Sequence, residues 1–384
     1  MFPTQTGIKP SARIQKEEKM AIGKTKYWQI CSILKLIYQN PGITRKELSN
    51  LLCIDKAMIT HIVNYLTADK WLIKQNHFAK KIPLSLNENR LYVAGIEIQP
   101  EYQRFAVCNI QGTILYTKEW TLQRPEISDF LFGELTKAIN DCGYDIFAVG
   151  LAIPGVCDNE NKRIIASNPF GIKIPRELPK TLGEKEIPLF IENDTRCLGW
   201  NKVAFEKDFG NFLLVVYQCI ENPKNKDEFI RISNGLSLFS KGNSWAGAHN
   251  CAGEIPDLFS IREYVGEHNF VPYSEKLKMK NDPQLKATVL KNIAIRSSYT
   301  STLFDTEKLY TYISGLEIGD DYTDILKSYM DKFHFYPTVQ HTEIVTSTLD
   351  SFTIAKGACA FVFENLFVHP CDRDIPQSLI IKAK

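Results

Sequence analysis

The alternation of apolar and polar positions changes character several times along the chain. Before residue 24 there is no apolar periodicity, and residues 1–23 read as a flexible basic tail. From Tyr27 on, Ile30, Ile33, Leu34, Ile37 and Tyr38 recur at helical spacing, and Asn40-Pro41-Gly42 ends that helix. Thr44 with Glu47 three residues later makes a capping box for a second helix holding Leu48, Leu51 and Leu52. Cys53-Ile54 turns the chain. Asp55 then caps a third helix carrying Ile59, Ile62, Val63 and Leu66. Two short extended pieces, Trp71–Lys74 and Ile82–Leu86, follow around the polar loop Gln75–Lys81. Three helices and a hairpin in this order predict a winged helix-turn-helix over residues 24–88.

From Leu91 the pattern is that of strands. Leu91–Ile98, Arg104–Ile110 and Ile114–Leu122 form a meander, with Gly112 at a turn, and a helical stretch covers about Ile127–Cys142. Ile146–Ile153 is apolar without alternation, as a strand buried on both faces would be, and ends in Pro154-Gly155. A short strand Leu189–Ile191 runs into Glu192-Asn193-Asp194 and a helix to about Phe205, followed by the strand Phe212–Tyr217. Late aromatics such as Tyr329 and Phe333 fall in register with Ile325, Leu326 and Met330, so core packing is expected of them rather than sugar stacking. Three strands, a helix, a strand and a helix are how each lobe of an actin-like, ribonuclease-H-like fold begins. The expected class is α/β: a winged helix-turn-helix, then a first lobe over 89–205 completed by a C-terminal helix at 353–370, with a second lobe over 206–352.

Composition narrows the function. The 384 residues are 44% hydrophobic and 23% charged, which fits globular domains. The longest aliphatic-aromatic run, Phe212–Tyr217, is far short of the ~18 residues of a membrane span. No secretory signal is read, and ten scattered cysteines without a C-x-x-C pair read as reduced, mostly buried thiols of a cytoplasmic protein. Charge is uneven. Residues 1–90 carry 15 basic and 6 acidic side chains, a net +9, whereas the rest of the chain is net −7. A basic head on an acidic body suits a polyanion such as double-stranded DNA. Lys56, Ala57, Thr60, His61 and Asn64 fall on the solvent face of the third helix, where they could read base edges. His77, Lys80 and Lys81 of the wing could meet phosphates or the minor groove. A solvated tail or a protein-docking helix would carry the same residues.

Several motifs of the body resemble the ROK family of repressors, open reading frames and sugar kinases. They are Gly95-Ile96-Glu97-Ile98, the segment from Val149 to Asp158 centred on Ile153-Pro154-Gly155, Ser167-Asn168-Pro169-Phe170, Ile191-Glu192-Asn193-Asp194, Ala252-Gly253-Glu254-Ile255 and Lys356-Gly357-Ala358-Cys359-Ala360. With the winged helix in front, the layout resembles the sugar-responsive repressors of that family. The resemblance implies that Asp194 stands where family kinases hold the base for a sugar hydroxyl, and that Asn168, Asn193 and Glu254 line a sugar pocket. Read without it, Asn193-Asp194 could cap the following helix and Asn168-Pro169 could make a turn.

The departures from the family are as informative. Gln99-Pro100-Glu101 replaces the glycine-rich first phosphate loop, and Gln218–Pro223 with the charged stretch Lys224–Arg231 replaces the second. Proline removes an N–H donor and glutamate repels a phosphate. Pro256-Asp257 stands where the family's zinc site has Gly-His, and no cysteine occurs between Cys251 and Cys359. The expectation is a DNA-binding regulator of sugar-utilisation genes, homodimeric or larger. Its partners are an operator and a sugar effector, with no membrane, no cofactor, no metal and no catalytic residue. A sugar kinase with a fused DNA-binding head, a regulator blind to ligand, and a protein-interaction module are the alternatives.

Overall fold

The computed structural model describes residues 28–73, 82–262, 270–319 and 321–366, the side chain of Leu258 excepted. The chain divides into two compact units, residues 1–90 with 363–384, and residues 91–362. No helix among the described residues is long and apolar enough to cross a membrane.

The first unit holds α1 (28–39), α2 (Arg45–Leu52) and α3 (Lys56–Ala68). The capping box forms: Thr44 Oγ1 accepts from Glu47 N at 3.3 Å and Glu47 Oε2 accepts from Thr44 N at 2.8 Å. Cys53, at φ 52°, closes α2 in the left-handed region, and Asp55 accepts from Ala57 N to open α3. Ile33, Leu34, Ile37, Leu48, Ile59, Val63 and Leu66 form the core. Leu51 is exposed, since the two turns of α2 bury a single stripe through Leu48. Of the two extended pieces, the described residues meet in one antiparallel bridge, Leu72 with Leu86. His77, Lys80 and Lys81 lie outside the described residues.

The second unit repeats one plan twice. In the first lobe β1 (Tyr92–Ile98), β2 (Gln103–Asn109) and β3 (Ile114–Trp120) form an antiparallel meander. The helical stretch that follows is α4 (Ile127–Phe130) and α5 (Thr136–Asp141), joined by a π-helical turn. β4 (Ile146–Ile153) then pairs parallel to β1. The small sheet β5 (Val156–Asp158), β6 (Arg163–Ala166) and β7 (Arg176–Glu177) follows, then β8 (Thr181–Leu182). β9 (Ile187–Asn193) pairs parallel to β4 and runs into α6 (Asp194–Ala204).

In the second lobe β10 (Phe212–Asn222), β11 (Asn225–Ser240) and β12 (Asn243–Ser244) form the meander. α7 (Tyr273–Lys276) and α8 (Pro283–Leu303) lead to β13 (Lys308–Ser314), which is parallel to β10. α9 (Tyr322–Phe333) leads to β14 (Glu343–Ser347), parallel to β13, and α10 spans Thr353–Leu366. This is the two-lobed actin-like fold.

The stretch that stands in place of the second phosphate loop is strand for most of its length. Gln218–Asn222 continues β10, and all but the first residue of the charged stretch belongs to β11. The hairpin tip is held down by polar contacts, Lys280 Nζ to Glu221 Oε1 at 2.5 Å and Asn281 Nδ2 to Asp227 Oδ1 at 2.9 Å. The aromatics also divide. Tyr310, Tyr312 and Tyr322 are buried, Tyr329 and Phe333 are half-buried with Tyr329 packed on the core, and Tyr299, Phe335 and Tyr336 are exposed. The described cysteines are free thiols, all buried but Cys53 and Cys251.

α10 crosses the first sheet at backbone contact. A Cβ on Gly95 of β1 would lie 1.9 Å from the Ala355 carbonyl oxygen, and one on Gly150 of β4 would lie 2.2 Å from that of Ala358. Gly150→Ala is therefore expected to cost ~3 kcal/mol or more, because the obstructing atoms are backbone and cannot turn away. Gly133→Ala, where a Cβ meets nothing within 4 Å, is expected to cost less than about 0.5 kcal/mol. Urea unfolding of the two variants beside the parent checks both values.

Candidate functional site

The end of β9 and the start of α6 place the central residues. Asn193 is the N-cap of α6: its Oδ1 accepts from Arg196 N at 3.0 Å. Its Nδ2 faces the other way, donating to Gly155 O at 3.0 Å and to Glu254 Oε1 at 3.1 Å. Gly155 has a φ of 130°, and a Cβ there would lie 2.3 Å from Ala166 O, so glycine is required where the chain meets Asn193. The capping role and the placement of Glu254 are thus met by one side chain.

Asp194 follows in the first turn of α6. Its Oδ1 accepts from Thr195 N, and its Oδ2 accepts from Gln99 Nε2, each at 2.8 Å. Burial pushes the Asp194 carboxyl up. The hydrogen bonds from Gln99 and Thr195 and the charge of Arg231 oppose that shift without cancelling it. Glu254 is also raised, first by partial burial and then by the charge of Asp194, against the pull of Arg196. These two carboxylates, together with the Asn193 amide, form a polar corner suited to a ring of hydroxyls. Asn168 is not hydrogen-bonded to this corner. It is exposed in the turn bridged by Ser167 and Ile172, while Ser167 Oγ donates to Pro154 O at 2.6 Å.

The cations nearby are already engaged. Arg196 Nε donates to Glu192 Oε1 at 2.7 Å, and its Nη1 donates to Asn250 O at 3.2 Å. Arg231, on β11, forks onto Glu101 with Nε at 3.0 Å and Nη2 at 2.8 Å, and Nη2 also donates to Gln99 Oε1 at 3.1 Å. Arg231, Gln99 and Asp194 thus form one hydrogen-bonded line, reaching from the second lobe through the turn after β1 to α6. The segment that stands in place of a first phosphate loop is closed against the second lobe by this line.

Of the residues singled out from the sequence, the structure brings Asn193, Asp194 and Glu254 together, and it adds Gln99 as a partner of Asp194, with Arg231 and Arg196, none of which the sequence marks for this site. No local signal links Arg231 to Glu101, 130 positions away. On α3, Lys56, Ala57, Thr60, His61 and Asn64 are all exposed, and Thr60 Oγ1 bonds back to Lys56 O at 2.8 Å. Met58 and Tyr65, also exposed on this helix, were not predicted to be there.

No protein-family model matches the chain. Over 239 residues it is 24% identical to the xylose repressor of Bacillus subtilis strain 168, an alignment covering 58% of each chain. The xylose repressor of Caldicellulosiruptor bescii is 21% identical over 237 residues, covering 58% of this chain and 56% of the repressor. The chain thus spans a little over half the length of the repressors it matches. Among solved structures, a ROK family transcriptional regulator described as a homologue of Escherichia coli MLC superposes with a TM-score of 0.65. It is 15% identical and covers 94% of this chain and 99% of its own. A ROK family protein from Streptococcus pneumoniae in complex with sucrose gives a TM-score of 0.51 at 16% identity, covering 72% of this chain and 99% of its own. Both comparisons agree with the ROK resemblance carried by the motifs.

Glu97, behind Gln99, yields a pH prediction. It is 1% exposed, its Oε1 accepts from the Tyr102 hydroxyl at 2.9 Å, and Oε2 has no hydrogen-bond partner among the described residues. Burial first and the charge of Asp194 push it from 4.5 up to about 7, against the pulls of Arg104, Tyr102 and Gln99. The folded state therefore holds this proton more tightly than the unfolded chain. Its stabilising contribution is complete below about pH 4.5 and is lost as pH rises through about 7. Glu97→Gln is expected to remove a fall of about 3 kcal/mol across that window, seen by comparing urea midpoints of parent and variant from pH 4.5 to 8.

Proposed function

Taking the ROK fold and the similarity to xylose repressors as premises, we propose that this chain is a DNA-binding transcriptional regulator that represses sugar-utilisation genes. A sugar held at Asn193, Asp194 and Glu254 is its effector. The carrying observation is the asymmetry of the site. The sugar-side carboxylates keep hydroxyl-accepting capacity, while the phosphate-side turn is filled by the Arg231–Glu101 pair. Asp194 in this reading accepts a sugar hydroxyl and transfers no proton onward, so the protein is not an enzyme. Asn168 joins the pocket only from the neighbouring turn.

On the DNA side, Lys56, Ala57, Thr60, His61 and Asn64 read bases, and His77, Lys80 and Lys81 hold phosphates. The protein acts in the cytoplasm as a homodimer or larger homo-oligomer, two winged helices facing an inverted repeat. Repression is relieved by linkage: the sugar binds better to the state that does not bind DNA. A difference of about 5 kcal/mol moves the equilibrium almost completely.

The deciding experiment is capture of genomic fragments by the full-length protein at near-physiological salt, sequenced and then repeated with a sugar panel. Enrichment of a few inverted-repeat sites beside transport or catabolic genes is expected, and enrichment no greater than bulk DNA would refute the reading. Asp194→Asn should abolish the sugar response in an operator gel shift while leaving operator affinity within about threefold, since one exchanged hydrogen-bond partner is local. Incubation with ATP, magnesium and hexoses or pentoses should release no ADP above the sugar-free background. Sustained sugar-dependent release would restore the kinase alternative.

A further inference from the structure

The ROK resemblance implies a zinc ion beside the ligand loop, and the described residues there do not fit one. Asp257, which takes the place of the family's histidine, is already coordinated by the protein. Its Oδ2 accepts from Lys276 Nζ and from Ser260 Oγ, the latter at 3.4 Å, and its Oδ1 accepts from Phe259 N at 3.3 Å. The Lys276 side chain is 2% exposed. An ammonium is tolerated at such depth only where a carboxylate meets it. Burial pushes Lys276 down, the facing Asp257 pulls it up, and the buried guanidinium of Arg296 adds repulsion.

The cation has a fixed base. Lys276 closes α7, and the first residue of that helix, Tyr273, clamps β11: its hydroxyl accepts from Ile232 N at 3.0 Å and donates to Ile232 O at 3.1 Å. Asp257 lies three residues after Glu254, whose own carboxylate is held by Asn193. The short segment from Glu254 to Asp257 is therefore pinned at both ends, by an amide at one and by an ammonium at the other.

We propose that Lys276 is a positioning residue whose ammonium stands in for the loop-fixing metal of related proteins, holding Asp257 so that Glu254 is presented to ligand. A metal of this kind is acquired from solution and removed by chelation. Lys276 is part of the chain, so the loop should be ordered whatever the metal supply. The link to ligand rests on the sugar-binding reading; the link to loop order does not.

Hydrogen exchange of the full-length, ligand-free protein tests the second link directly. The amides of Ala252 and Glu254, bonded to Ala246 O and Cys251 O at 3.0 Å each, report on the loop, and those of Ile146–Ile153 serve as a folding control. Lys276→Met is expected to speed exchange at Ala252 and Glu254 roughly tenfold or more, with the control strand unchanged. Lys276→Arg, and the swap Asp257→Lys with Lys276→Asp, should restore protection to within about threefold. EDTA should leave the parent unchanged. Loop exchange that is accelerated by EDTA in the parent, or unchanged in Lys276→Met, would overturn the proposal. Calorimetry with the sugar panel is read separately. If the parent binds a sugar, Lys276→Met should weaken it about tenfold; if it binds none, the effector reading fails while the exchange result still decides the role of Lys276.

Discussion

The crossing of α10 over the first sheet is the constraint on which the second unit depends. At Gly95 and Gly150 there is room for a backbone and nothing more, and Gly357 of the helix itself would place a Cβ 2.1 Å from Cys197 O on α6. Three glycines on three elements therefore fix how β1, β4 and α6 sit about one helix. Ile354 and Ala358 of that helix also belong to the apolar cluster formed with Phe212, Leu214 and Phe239 of the second sheet. Contacts this close leave little freedom to slide. The ends of β1 and β9 and the start of α6 are held together as a result, and they carry Gln99, Asn193 and Asp194.

On that frame the electrostatics of the site follow from which charges are already paired. Arg196 is engaged by Glu192 and Arg231 by Glu101, at distances typical of strong charge-assisted bonds. Asp194 and Glu254 are left with neutral side-chain partners, Gln99 and Asn193, and the charge of Asp194 raises the cost of ionising Glu254. Such a corner favours uncharged hydroxyl donors over anions. Where the family kinases that the motifs resemble need backbone N–H groups open to a phosphate, this chain has a proline and an acid committed to an arginine.

Elements specified by neighbours in sequence were legible in advance. The Thr44–Glu47 box, the Asp55 cap and the unbroken apolar run Ile146–Ile153 each declare themselves within a few residues, and each forms. The strand at Phe212 was legible but not its length, because Gln218–Asn222 is polar enough to read as a loop and is kept extended by pairing with β11 and, at Gln218, with β13. Within the site, Asn193 and Asp194 carried a signal because capping chemistry and ligand chemistry use the same residue types. Arg231 carried none: its role exists only once β11 brings it to a turn encoded 130 positions earlier. Exposed Leu51 and Phe335 show the same limit from the other side, since an apolar residue in a helical or aromatic-rich context has no local mark of facing solvent.

The Arg231–Glu101 fork ties β11 to the turn after β1 from within the chain. A cleft bridged by a bound nucleotide closes to an extent set by the nucleotide pool, and so reports the energy charge of the cell together with its sugar. Here the bridging group is encoded in the chain, at an effective concentration fixed by the fold and independent of metabolism. Under the regulatory reading proposed above, lobe closure would answer to the effector alone, and a starved cell and a well-fed one would read the same sugar level alike.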